Sequence, residues 1–152
     1  MTTLEDANKR SYRCIESLAE DFAKRVRGWC VELTNSGIQA LVYCGFRSFE
    51  EQSALYAKGR TERGRIVTKA KAGQSFHNYG RAIDWVPLKK SDKNPDLYIA
   101  DWENDTAYCI GEQIAPTFEM RKISWESGHL EDARYEDWRE LERTFGYKPR
   151  DD

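Results

Sequence analysis

At 152 residues, 39% hydrophobic and 12% aromatic, the chain is long enough for one domain with a proper core. Its five Trp, eight Tyr and six Phe exclude a disordered chain despite 33% charged residues. The formal net charge of −2 gives no basic balance, and no nucleic-acid-binding module is recognisable, so no nucleic-acid partner is expected.

The start, Met1-Thr2-Thr3-Leu4-Glu5-Asp6, has neither a basic n-region nor an apolar h-region. No run is long enough to span a bilayer. The expectation is synthesis in a cytoplasm, with no signal peptide and no membrane insertion. Cys14, Cys30, Cys44 and Cys109 lie far apart, without a C-x-x-C, each in an apolar segment. That predicts reduced, buried thiols, not a disulfide framework or a cysteine-zinc site.

Residues 3 to about 36 carry Ile15, Leu18, Phe22, Val26, Trp29 and Leu33 at steps of three and four, which predicts amphipathic helix. Thr3-x-x-Asp6 marks its start and Asn35-Ser36-Gly37 its stop, with a break near Ser11 or Ser17. Ile38 to Cys44 reads as a strand. Gly45-Phe46-Arg47 turns the chain, and Ser48-x-x-Glu51 is a capping box that opens a helix ending at Gly59. Residues 60–74 form a loop with three arginines, two lysines and one glutamate. It is either a solvated loop or a basic rim that attracts an anionic substrate. Gly80 to Leu88 is the central strand, and Lys89 to Pro95 a polar connection. A helix from Trp102 to Ala115 turns Tyr108, Cys109 and Ile110 inward. Short strands at Lys122–Trp125 and Gly128–Glu131 flank a turn. A last helix, Tyr135–Phe145, buries Trp138, Leu141 and Phe145. Helices and strands mixed without strict alternation predict an α+β fold with a small, mostly antiparallel sheet. No repeat, linker or wall-binding module is visible, so residues 1–152 read as a single domain and a monomer.

The chemistry concentrates at Ser75-Phe76-His77-Asn78-Tyr79-Gly80-Arg81-Ala82-Ile83-Asp84, of the form S-x-H-x-x-G-x-A-x-D. Side chains alternate on a strand, so Asp84 projects from a rigid element while His77 approaches from the loop before it. The chain's other histidine, His129, has Glu126 three residues before it. Two histidines, one aspartate and a nearby glutamate make up a hydrolytic zinc site with an open coordination position.

These residues resemble the zinc peptidases of bacterial cell walls: D-alanyl-D-alanine carboxypeptidases and dipeptidases, and the L-alanyl-D-glutamate endopeptidases used as phage endolysins. The resemblance runs from about Cys44 to Glu131 and includes the turn Gly45-Phe46-Arg47-Ser48. The chain departs from many relatives in carrying Ile123-Ser124-Trp125-Glu126-Ser127-Gly128-His129-Leu130-Glu131 where they have W-G-G-x-W and P-H-F-E. The resemblance implies a DD-peptidase-like fold with His77, Asp84 and His129 as Zn²⁺ ligands. It makes Glu126 the general base and Arg47 the holder of the oxyanion. On local sequence alone, Arg47 reads as a solvated surface arginine. Ser75 is a substrate hydrogen-bond donor or a plain turn-former. Glu131 faces the same way as His129 on a strand, which suggests a contact to that ligand; it also competes with Glu126 for the base role. The implied substrate is a peptidoglycan stem peptide. The missing signal peptide favours a phage lysin made in the host cytoplasm and acting on the wall after release. A D-alanyl-D-alanine carboxypeptidase or dipeptidase, or a non-catalytic binding module on the same zinc scaffold, stays open.

Overall fold

The first amphipathic stretch folds as two helices, with the break at the second of the two expected places. In the computed structural model, which describes residues 1–146, α1 spans Leu4–Glu16 and α2 spans Glu20–Asn35. The Thr3 hydroxyl caps α1 by accepting the Asp6 N–H at 3.1 Å. The break falls at Ser17–Ala19. There the N–H groups of Ser17 and Leu18 bond back to Cys14 and Ile15, and that of Ala19 leaves the helix for the Gly80 carbonyl at 3.1 Å. Ser11 lies inside α1, and its hydroxyl accepts the Val42 N–H.

The strands are β1 (Thr2–Thr3), β2 (Gln39–Cys44), β3 (Ala82–Lys90), β4 (Leu97–Ala100), β5 (Met120–Ile123) and β6 (Glu126–Asp132). They form one sheet in the order β1-β4-β3-β6-β5, with β2 on β3, and every strand pairing is antiparallel. Between them lie α3 (Phe49–Ala57), opened by the Ser48/Glu51 capping box, α4 (Asp105–Ile114) and α5 (Trp138–Phe145). Phe76–Tyr79 and Ala115–Phe118 are single 3₁₀ turns. The α+β architecture is the one expected.

The main core packs the buried face of α2 (Phe22, Val26, Trp29, Leu33) on Ile83, Trp85 and Leu130 of the sheet. Trp29 and Trp85 meet edge to face at 5.0 Å. Gly80 is needed at its place in the motif. Its φ is +67°, and a Cβ there would lie 2.7 Å from the Ala19 nitrogen. The glycine thus seats the start of β3 on the α1–α2 joint. The next residue, Arg81, donates to Asp21 at 2.7 Å and to the fully buried Asp132 at 3.1 Å, and Arg25 of α2 also donates to Asp132 at 2.7 Å.

Several expectations need correction. Strands β1 and β4 were not anticipated, and α4 starts three residues after Trp102, which is exposed. Cys109 points to solvent, not inward. Of the three residues assigned to the buried face of α5, only Leu141 is buried; Trp138 is partly covered and Phe145 exposed. The thiols are all free, but Cys14, Cys30 and Cys44 are only half-buried.

Candidate metal centre

Strand register assembles the site. Asp84 of β3 lies opposite His129 of β6 on one side and opposite Cys44 of β2 on the other. A β-bulge between Val42 and Cys44 shifts β2 at that point, the kind of irregularity that re-aims side chains beside active sites. His77 reaches the same place from the 3₁₀ turn. That turn is held by Ser75, whose hydroxyl accepts the His77 N–H at 3.2 Å, and by Asn78. The Asn78 amide accepts from Gly73 and Ser75 and donates to the Arg47 carbonyl.

Two imidazole nitrogens converge on one carboxylate oxygen. His77 Nε2 is 3.3 Å and His129 Nδ1 is 3.1 Å from Asp84 Oδ1. The opposite nitrogens are occupied. His77 Nδ1 lies 2.8 Å from the Gly45 carbonyl, and His129 Nε2 lies 3.0 Å from Glu131 Oε1. A carbonyl can only accept, so Nδ1 of His77 carries the proton and Nε2 is the nitrogen turned to Asp84. Both rings are buried. Burial disfavours the imidazolium of His77, but its contacts with Asp84 and Cys44 outweigh this and push its pKa up to about 10. For His129, burial is likewise outweighed, by Asp84 and Glu131, and its pKa is raised. Burial would raise the Asp84 carboxyl, yet its contacts with His129 and His77 hold it well below the usual carboxylate range.

These donors fit zinc. Each ring turns one nitrogen to the Asp84 carboxylate and donates its other N–H to a carbonyl or a carboxylate, the support that zinc-binding histidines ordinarily have. Cys44 is a donor that sequence reasoning set aside. Its Sγ lies with donor atoms of His77 and Asp84 in a cluster within 4.8 Å. It approaches His77 at Nδ1, at 3.8 Å, the nitrogen already engaged by Gly45. The sulfur thus stands beside the ring, within reach of the Asp84 carboxylate as well. Only the cross-strand register with Asp84 reveals this, and no spacing in the sequence does.

Arg47 Nη2 lies 3.8 Å from Asp84 Oδ2 and 3.5 Å from Cys44 Sγ. Its Nη1 donates at 3.0 Å to Gln52 Oε1, and the fully buried Gln52 amide donates on to the Ala70 carbonyl at 2.8 Å. Arg47 is thus a mostly covered side chain fixed beside the cluster, not the solvated arginine that local sequence suggests. Glu131 joins the cluster through His129. Glu126 does not: it is exposed at the first position of β6, and among the described residues its carboxylate has no hydrogen bond or ion pair. Its carboxylate is felt at Tyr43, the residue at the bulge. Burial, then Asp84, Tyr108, Glu126 and Cys44, push the Tyr43 phenol up to about 12.

A family profile described as VanY, D-alanyl-D-alanine carboxypeptidase, matches residues 15–139. The chain belongs to the VanY family. That stretch of this VanY-family chain contains Arg47, Ser75, His77, Asp84, Glu126, His129 and Glu131. Over 56 residues it is 55% identical to the peptidoglycan L-alanyl-D-glutamate endopeptidase CwlK of Bacillus subtilis (strain 168), a match covering 37% of this chain and 34% of CwlK. Matched residues thus span about a third of that curated relative. The vancomycin-resistance D,D-dipeptidase VanXYg, solved with a D-Ala-D-Ala phosphinate analogue, superposes with a TM-score of 0.58 at 22% identity, over 86% of this chain and 56% of that one. The L-Ala D-Glu endopeptidase ChiX of Serratia marcescens gives 0.52 at 19% identity, over 80% and 85%. At these identities the two structures establish the shared fold.

Proposed function

We propose that this VanY-family protein is a zinc-dependent peptidase that hydrolyses peptidoglycan stem peptides, as an L-alanyl-D-glutamate endopeptidase of the phage-endolysin type. The observation that carries the zinc reading is the convergence of His77 Nε2 and His129 Nδ1 on Asp84 Oδ1. The partial match to CwlK favours the endopeptidase bond. The family description supports a second reading, a D-alanyl-D-alanine carboxypeptidase.

In this reading His77, Asp84 and His129 hold the zinc. When bound, zinc supplies a Lewis acid for the scissile carbonyl and lowers the pKa of water toward neutrality. The remaining work falls to the chain's own side chains. Arg47, anchored through Gln52, stabilises negative charge as it develops on the carbonyl oxygen. Glu126 takes a proton from the attacking water and delivers it to the leaving amine. Ser75 donates a hydrogen bond to the substrate; among the described residues its hydroxyl accepts the His77 N–H and donates to no partner. Among those residues no helix is long and apolar enough to cross a membrane.

Digesting purified peptidoglycan and identifying the new amino termini by mass spectrometry tests the assignment. New D-glutamate termini support the endopeptidase, released D-alanine supports the carboxypeptidase, and no cleavage by zinc-loaded protein removes both. Adding the protein to intact and to membrane-permeabilised cells tests the lysin setting: lysis is expected where the wall is accessible.

The metal assignment predicts one zinc per chain by elemental analysis. His77→Ala and His129→Ala should each lower metal content together with activity. Active protein free of metal would sink the site. For Arg47→Ala the expected result is a fall in kcat of roughly a hundredfold or more with normal zinc content, as for loss of a comparable oxyanion donor. Turnover within a few-fold of wild type would return Arg47 to a structural role.

A further inference from the structure

The metal centre extends one residue further than its ligands and their immediate partners. In the β5–β6 pairing, Arg121 lies directly opposite Glu131. Both its Nε and its Nη2 donate to Glu131 Oε2, at 3.2 and 2.9 Å, while Glu131 Oε1 is left to meet His129 Nε2 at 3.0 Å. The same Nη2 donates to the Glu136 carbonyl at 2.9 Å. The guanidinium also lies over the Phe76 ring, 5.4 Å from its centre, next in sequence to His77. One side chain therefore touches the partner of His129 and the ring of the residue before His77, and ties both to the segment before α5. An exposed cross-strand ion pair would contribute little. This one differs because Glu131 is only 9% exposed and each of its oxygens has a separate task.

We propose that Arg121 is a positioning residue of the metal centre: it holds the Glu131 carboxylate against His129 and so fixes the ring edge that faces Asp84. The inference rests on the zinc reading of the site. The partners of ligand histidines set ring orientation, and losing one weakens metal binding by about 10–100-fold. Arg121 acts at one remove, through Glu131, so its effect should vanish when Glu131 can no longer relay it.

The test is zinc affinity, measured by competition with a chromogenic chelator, alongside thermal unfolding of the zinc-free proteins. Arg121→Ala should weaken zinc binding by roughly tenfold or more, and Glu131→Gln by about 10–100-fold. The double variant should bind zinc no more weakly than Glu131→Gln alone, the non-additivity of residues acting in series. Arg121→Lys, which keeps the charge but not the paired donors, should lie between wild type and Arg121→Ala and carries the test if the alanine variant does not fold. A variant that unfolds at lower temperature yet binds zinc as tightly as wild type overturns the proposal, as do additive losses in the double variant. Wild-type protein that takes up no zinc overturns both the proposal and the zinc reading.

Discussion

Glu126→Gln should fold, hold zinc and bind substrate, yet lose about 10²–10⁴ in kcat. The substitution keeps the size of the side chain and removes its basic oxygen. Two features motivate the assignment. Glu126 stands three residues before His129, and Gly128 between them has a φ of +78° where a Cβ would lie 2.4 Å from the Trp85 carbonyl oxygen. The strand therefore enters the site through a backbone conformation that only glycine takes easily. The Glu126 carboxylate also has no hydrogen-bond or ion-pair partner among the described residues, while Glu131 is held between His129 and Arg121. A carboxylate fixed by an arginine is a poor proton carrier, because the ion pair favours its charged form. Burial tends to raise the Glu131 carboxyl, but its contacts with His129 and Arg121 win and lower it. Glu131→Gln should accordingly weaken zinc binding, whereas Glu126→Gln should lower turnover at full zinc occupancy. Zinc content and kcat of both variants separate the roles. Near-normal turnover in Glu126→Gln rules out its assignment as the base, and loss of metal would make it a ligand.

The site was legible where chemistry and spacing coincide. His77 and Asp84 stand in a short pattern, His129 is the chain's other histidine, and the apolar run after Gly80 places Asp84 on a strand. What the sequence does not show is which strands are neighbours. Cys44 looks like one more apolar-segment cysteine until β2 pairs with β3 and the bulge sets it opposite Asp84. Arg121 looks like a surface cation until β5 pairs with β6. Both depend on contacts between residues distant in the chain, which periodicity cannot report. Strands β1 and β4 were missed for a related reason. Two threonines and a four-residue run after Pro95 have little signal of their own and are extended because they pair with each other and with β3. For α5 the period was right but the degree of cover was not. Leu141 is buried, while Phe145 sits at an edge where its ring meets Arg81 at 5.0 Å.

Asp132→Ala should destabilise the zinc-free protein by about 3 kcal/mol, the lower end of the cost of stranding a buried charge. Asp132 is fully buried and accepts from Arg25 and Arg81, joining α2 and β6 to the residue just before β3. Its removal leaves two guanidinium groups without the buried carboxylate they share. The loss is not larger because Arg81 keeps Asp21 at 2.7 Å and Arg25 keeps the carbonyls of Phe118 and Glu119. Asp21→Ala should cost much less, about 1 kcal/mol or under, since its side chain is 46% exposed and solvent screens the pair. The Asp21 carboxyl nevertheless titrates below its ordinary value, chiefly through its hydrogen bond from Arg81. A group with a depressed folded-state pKa adds stability above its unfolded value and loses it as pH falls through the folded one. Asp21→Asn should therefore lower stability in the neutral range by that small contribution and shrink the acid-side loss by the same amount. Urea unfolding of zinc-free wild type and the three variants at neutral and acid pH measures all of this. Equal costs for Asp132→Ala and Asp21→Ala would show that the buried carboxylate is not what holds the two arginines.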